Sequence, residues 1–390
     1  MQSRRRHLLE TLATLPLVAI GGCATMNGAA PRPEFGSPDA VVDATYRGTA
    51  GERHAGLPHF RTLEQALDAA PTDWYAPWRI TLRPGLYREK LEITKPNIHL
   101  TGESRTGCVI SFDAYSGRTR PSGVGTWTTF GCATLIVRAP GFAATNLTIE
   151  NGYDYLANDA KHPGDPTYTN DPQAVALMLA KGSDRAQLRN VSITGYQDTL
   201  FVDAGRSYFR DCLVSGNVDF IFGAGQAVFD ACDIVSRPRR KPNVAPHGYV
   251  TAPSTQLRDR YGLVFLRCKL LRESALVPAN SHALGRPWHP AATFPDGRYA
   301  DPNAVGSSVF IECFMDDHIA QDGWWSMTGL QKSGPTRTVF HPEDSRFFEY
   351  RSHGPGVAQA GNSKRRQLSD SEATRYTVAE VMGDWPAGPR

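Results

Sequence analysis

Long apolar runs are nearly missing from this 390-residue chain. The one near its start, Thr11 to Ile20, falls short of the roughly 20 residues that cross a bilayer as a helix. Charge of one sign is also missing. The net charge is +3, and without residues 1–22, which carry Arg4, Arg5, Arg6 and Glu10, it is +1. That balance does not suit a nucleic-acid partner. The eleven histidines include no metal-ligand spacing of the HExxH kind, so no metal is expected. Helical periodicity is scarce, and so are the two-residue turns that join antiparallel hairpins. Several compact helical domains and an antiparallel sandwich therefore fit less well than one elongated β-domain.

What is present begins with a targeting segment. Three arginines, a short apolar stretch and small residues before a cut read as a secretory signal over residues 1–22. Ile20-Gly21-Gly22-Cys23 resembles a bacterial lipobox, which makes Cys23 the expected lipid anchor. Ser3-Arg4-Arg5 also resembles a twin-arginine signal. A Pro/Gly/Ala-rich tether follows, so residues 23–40 read as a linker and 41–390 as the folded domain. The expected location is outside the cytoplasm, secreted or held at the outer membrane. Thr62 with Gln65 forms a capping-box pattern, predicting a short helix that covers one end of the fold. From Ser369 the tail turns helical.

A block recurs through the middle of the chain. NLTIENG at 146, NVSITGY at 190, DCLVSGN at 211, ACDIVSR at 231, RCKLLRE at 267 and ECFMDDH at 312 each place a polar or small residue before a short apolar strand. Their starts lie 44, 21, 20, 36 and 45 residues apart. Intervals near 21 are single turns of a solenoid, 44 and 45 read as double turns, and 36 as a turn with a long loop. The expected fold is a parallel β-solenoid. Cys212 and Cys232 fall at one block position in successive turns, which predicts a disulfide between stacked neighbours. Cys268 and Cys313 share that position, leaving Cys108 and Cys132 over.

The stretch GYQDTLFVDAGRSYFRDCLVSGNVDFIFG, residues 195–223, holds Asp198 and Asp219, 21 residues apart. One turn of the coil sets them on adjacent rungs, about 4.8 Å apart. Two carboxyls that close do not both ionise readily, so one keeps a proton beside a bare anion. That pair is an acid next to a nucleophile.

GYQDTL at 195–200, VDFIFG at 218–223, LGRPW at 284–288 and QAVAL at 173–177 resemble the signatures of pectin methylesterases. The resemblance runs from about Arg79 to Trp385 and is nearest to the members secreted by plant-associated bacteria. It implies an all-β, single-stranded right-handed parallel β-helix that removes methyl groups from the C6 esters of polygalacturonan or oligogalacturonides. It implies two aspartates, no metal and no cofactor, in a monomer. By the same resemblance Asp219 is the nucleophile, Asp198 the general acid and base, and Gln173 and Gln197 the oxyanion donors. Arg286 hydrogen-bonds the nucleophile, Trp288 offers a flat face to a sugar, and Arg239 grips substrate. A lipoprotein branch assigned thioesterase activity has Asn where Asp198 stands, so Asp198 argues against that reading.

Rival chemistries leave other signatures. A calcium-dependent lyase of the same fold, or a glycosidase with close carboxyls, does not call for paired glutamines. A surface glycan-binding lipoprotein with a dead site does not need both aspartates. Softer candidates for a sugar cleft are Tyr153, Tyr155 and Tyr168 in the insertion 152–171, the basic run Arg237, Arg239, Arg240 and Lys241, and Trp324-Trp325.

Overall fold

The structure is a computed structural model that describes residues 36–72, 76–241, 244–333, 336–360 and 362–387. The leader, Cys23 and the tether up to residue 35 lie outside the described residues. From Ser37 onward the chain forms one compact unit. Among the described residues its strands line up in a twelve-stranded, an eight-stranded and a seven-stranded sheet, with two small hairpins besides.

Each turn of the chain gives one strand to each long sheet. One turn runs Ala186–Arg189, Ser192–Thr194 and Leu200–Val202. The next runs Arg206–Arg210, Leu213–Gly216 and Ile221–Gly223. The two are parallel and in register, with Leu188 opposite Phe209, Ile193 opposite Val214 and Leu200 opposite Ile221. This is the expected parallel β-helix. Like side chains therefore stack through its interior. Phe209, Phe229, Phe265 and Phe310 form a column of parallel rings 4.4–4.7 Å apart between centroids, all buried. Burying such rings, about 1.5–3 kcal/mol each, drives the coil to close.

The recurring block has a conformational cause. Its first residues, Asn146, Asn190, Asp211, Ala231, Arg267 and Glu312, all have φ between 51° and 56°. Each is the left-handed corner where the chain leaves the twelve-stranded sheet for the eight-stranded one. Asn and Asp tolerate that conformation best, which is why three of the six are Asn or Asp. Asn190 Nδ2 also donates to Asn146 Oδ1 at 2.9 Å, tying two corners together.

The predicted helix forms as Leu63–Asp68 (α1), with the Thr62–Gln65 capping box in place. It packs on strands Ala40–Val42, Leu57–Phe60 and Leu91–Ile93 at the N-terminal end of the coil. Glu89 accepts from the amides of Leu63 and Glu64, while Lys95 Nζ donates to the carbonyls of Leu67, Asp68 and Ala70. Negative charge at a helix start and positive charge at its end both suit the dipole. The tail begins at a second capping box, Ser369 with Glu372. Its last helix, Val378–Met382, buries Val381 and Met382 in a cluster with Tyr208, Val228 and Val264 of the twelve-stranded sheet.

Two expectations are corrected. The 44- and 45-residue intervals are single turns, because Thr148–Asn151 pairs directly with Ser192–Thr194, and Lys269–Arg272 with Phe314–Met315. The extra length is insertion. The Cys212–Cys232 disulfide is also absent, and all six described cysteines are free and buried. Cys212, Cys232, Cys268 and Cys313 do stack, but as thiols, their Sγ atoms donating to the carbonyls of Leu188, Phe209, Phe229 and Phe265 at 3.3–3.5 Å. In-register parallel side chains point the same way about 4.8 Å apart, whereas a disulfide wants its Cβ atoms nearer ~3.8 Å. We therefore expect the melting temperature to be the same with and without reductant. Alkylation of the denatured, unreduced protein should label Cys212, Cys232, Cys268 and Cys313. A reductant-dependent melt would contradict the thiol stack.

Candidate active site

The seven-stranded sheet organises the site. Its register runs Leu177, Leu200, Ile221, Thr251, Gly285 across successive turns. Two residues before Leu200 and Ile221 stand Asp198 and Asp219, which therefore face each other one rung apart. Asp198 N donates to Val218 O at 3.0 Å, continuing the ladder into this corner. Both aspartates are in the left-handed region, with φ of 62° and 50°. Gly223 follows at φ 122°, where a Cβ would come within 2.0 Å of Val202 O, so only glycine fits.

Loop lengths turn this rung into a trough. The connections from the eight- to the seven-stranded sheet are 195–199 and 217–220 in the two turns that carry the aspartates. Their neighbours, 113–134 and 152–176 before and 237–247 and 273–281 after, are longer. The long connections lean on one another and on the short ones. Tyr115 stacks on Tyr153 at 4.2 Å, Tyr155 stacks on Tyr196 at 5.4 Å, and Phe130 meets Phe201 edge to face. The polar corners that carry the aspartates thus sit between raised walls.

The two carboxyls have different surroundings. Asp219 is gripped by both ends of one guanidinium, Arg286 Nε to Oδ1 at 2.8 Å and Nη2 to Oδ2 at 2.6 Å. Such a two-point pair fixes the orientation of the carboxylate. Burial works against the charge on Arg286, but Asp219 outweighs it and keeps the guanidinium firmly protonated. Arg286 also lies 3.8 Å from the ring centroid of Tyr249. Asp198 is buried too, and no cation among the described residues forms an ion pair with it. Burial first, and then the charge of Asp219, push its proton affinity well above the usual carboxylate range, against the weaker pull of Arg286. With Asp198 protonated the trio is neutral, the state a buried cluster favours.

The other expected residues gather here with one exception. Gln173 lies just before the Leu177–Leu179 rung, and its buried Oε1 has no partner among the described residues. Ala174 N donates to Gln197 O at 3.1 Å, which sets the two glutamines side by side. Trp288 packs edge to face on Phe201 and Phe222, with centroids 6.0 and 5.6 Å away. Arg239 is the exception, turned to Asp159, which accepts from its Nη2 at 3.2 Å and from the amide of Arg240 at 2.7 Å. Of the softer candidates, Tyr155 and Trp324 are buried packing residues, Trp324 stacked on Phe347 at 4.4 Å. Tyr249, Phe201, Phe222 and Asp159 went unnoticed in the sequence. Counting on one register step from Asp219 would have found Tyr249.

Comparison with known proteins points one way. The family model described as Pectinesterase matches residues 53–384. Pectinesterase A of Dickeya dadantii is 47% identical over 349 residues, 89% of this chain and 93% of that protein. A crystal structure of pectin methylesterase in complex with a hexasaccharide superposes with a TM-score of 0.84 at 46% identity, covering 91% of this chain and all of that one. Pectin methylesterase from Yersinia enterocolitica gives 0.80 at 49% identity, covering 84% of this chain and all of that one.

Stability should register the asymmetry of the pair. Arg286→Ala leaves Asp219 buried without its cation and should cost about 3–5 kcal/mol in denaturant unfolding. Asp198 binds its proton more tightly folded than unfolded. Its contribution is fully present below the unfolded aspartate value, about 3.9, and is lost as pH rises through the folded value. Asp198→Asn, which cannot ionise, should therefore gain stability relative to wild type as pH rises from about 4. A gap that shrinks with rising pH would reverse the assignment.

Proposed function

The chain belongs to the pectinesterase family, and we propose how its residues divide the work of removing methyl groups from pectin. The observation that carries the reading is the contrast on adjacent rungs, one carboxylate clamped by Arg286 and one buried carboxyl without a cation. Asp219 attacks the C6 carbonyl carbon of a methyl-esterified galacturonate residue. The carbonyl oxygen gains the negative charge and takes hydrogen bonds from the amides of Gln173 and Gln197. As the bond to the methoxy oxygen breaks, Asp198 gives that oxygen its proton and methanol leaves. An anhydride now joins Asp219 to the substrate. Asp198, left as a carboxylate, takes a proton from water as the water oxygen attacks. The anhydride opens to a C6 carboxylic acid, which gives its remaining proton to solvent, and Asp219 returns as a carboxylate.

Arg286 does two things in this scheme. It fixes the attacking oxygens, and it biases the shared proton toward Asp198. Trp288, seated on Phe201 and Phe222, offers a flat face to the sugar ring. Arg239, paired with Asp159, braces the wall and takes no part in holding substrate in this scheme. The substrate is methyl-esterified polygalacturonan or its oligomers, and the working unit is a monomer. The leader reading adds export, with Cys23 as a lipid anchor. Cys23→Ser should move the protein from the membrane fraction to the soluble one, and an unchanged membrane pool would remove the anchor.

Asp219→Ala should lower methanol release from methylated pectin by ~10³-fold or more, with the fold intact by circular dichroism. In wild type, kcat/KM should fall on the alkaline side as Asp198 loses its proton, at a pH above the ordinary aspartate range. Undiminished methanol release by Asp219→Ala would overturn the assigned nucleophile.

A further inference from the structure

One residue is tied to both corners of the catalytic rung. Arg237 begins the 237–247 connection, one turn beyond the corner that carries Asp219 and two beyond the corner that carries Asp198. Its backbone belongs to the nearer corner. Arg237 N donates to Gly216 O at 2.7 Å, and Asn217 Nδ2 donates to Pro238 O at 3.3 Å. Its side chain passes to the farther corner. Nη1 donates to Gly195 O at 2.9 Å, and the guanidinium carbon stands 3.8 Å from the ring centroid of Tyr196. Nε donates to Glu273 Oε1 at 2.8 Å, a carboxylate from the turn beyond its own. Four successive turns are thus joined through one half-buried arginine.

Ladder bonds hold the rest of the Asp198 corner. Tyr196 O accepts from Asn217 N at 2.9 Å, and Asp198 N donates to Val218 O at 3.0 Å. Arg237 adds a charge-assisted bond at the entry to this corner, three residues before Asp198. Its cation also bears on the ring of Tyr196, which stacks on Tyr155. Gln197 and Asp198 follow directly. The chemistry is sensitive to this placement, because a misplacement of roughly 1 Å can cost about 100-fold in rate. Nucleophile and acid stand on different corners, so their separation depends on whatever links the two loops.

We propose that Arg237, steadied by Glu273, is a positioning residue that sets the separation of the Asp198 and Asp219 corners. The inference rests on the reading of the catalytic rung given above. Arg237 acts through the peptide of Gly195 and the ring of Tyr196. Among the described residues it forms no ion pair with either aspartate. Its fork is shared between a carbonyl and a carboxylate, a task that suits the planar, pre-organised guanidinium better than an ammonium. With this brace in place, Asp198 and the amide of Gln197 meet the same ester that Asp219 attacks.

The test compares Arg237→Met, Arg237→Lys and Glu273→Gln with wild type on methylated pectin, by methanol release. Arg237→Met should lower kcat by ~10-fold with KM within ~2-fold of wild type. Arg237→Lys keeps a cation and one donor and should recover part of that loss. Glu273→Gln should lower kcat by ~3-fold. Two further readouts bear on the corner itself. Burial first, and then Asp219, raise the proton affinity of Asp198 against the pull of Arg286. A loosened corner admits water, so in Arg237→Met the alkaline limb of kcat/KM should move down by about half a pH unit. Hydrogen exchange of the peptide spanning 195–200 should quicken in the same variant. Unchanged kcat in Arg237→Met would overturn the proposal, and so would a loss of kcat with limb and exchange both as in wild type. A raised KM at constant kcat would assign Arg237 to substrate binding and overturn it equally. Glu273, 38% exposed, keeps the comparison available through Glu273→Gln if Arg237→Met does not fold. The exchange measurement involves no ester, so a failed nucleophile test on Asp219 would leave it standing.

Discussion

Everything at the site depends on one buried fork, the paired hydrogen bonds between Arg286 and Asp219. A carboxylate out of water needs a partner, and one guanidinium can satisfy it completely. Once Asp219 is settled, no second cation among the described residues pairs with Asp198. The remaining carboxyl keeps its proton because ionising it would leave the buried cluster with a net charge. Two chemically identical side chains thereby become different reagents. Their difference comes from placement, since both are aspartates in left-handed corners at one register position.

That placement is the product of stacking. The Phe209–Phe310 column and the Asn146–Asn190 contact hold each turn in step with the next. A slip of one residue would turn every side chain of a strand to the opposite face, sending the inward leucines out and the catalytic rung away from its arginine. Register is therefore as much a part of the active site as the carboxyls. The close approach at Gly223 works the same way, since a side chain there would push Val202 off its rung.

Much of this was legible before any coordinates. The block starts Asn146, Asn190, Asp211, Ala231, Arg267 and Glu312 were visible as a repeat, and each proves to be a corner of the same kind. The 21-residue step from Asp198 to Asp219 carried the central juxtaposition, and Thr62 with Gln65 announced its helix. Insertions hid the rest. A turn of 44 residues looks like two of 22 when the loop inside it has no signature, so Ser192–Thr194 was read one turn too far from Thr148–Asn151. The cysteine ladder was seen and its bonding misread, because spacing along the chain says nothing about the direction of a Cα–Cβ bond. Asp159 went unread because its partner Arg239 is 80 residues away, and no periodicity links an insertion to the wall it props.

The unequal corner loops separate the walls of the trough from its reacting floor. The connections between the eight- and seven-stranded sheets open on the same flank, and the two that carry the aspartates, 195–199 and 217–220, are short while others range from 88–90 to 152–176. Because each rung is fastened to its neighbours by the ladder, a loop two turns away can be lengthened, shortened or rebuilt without disturbing the reacting atoms. Rebuilding the banks of such a channel would leave its bed unaltered.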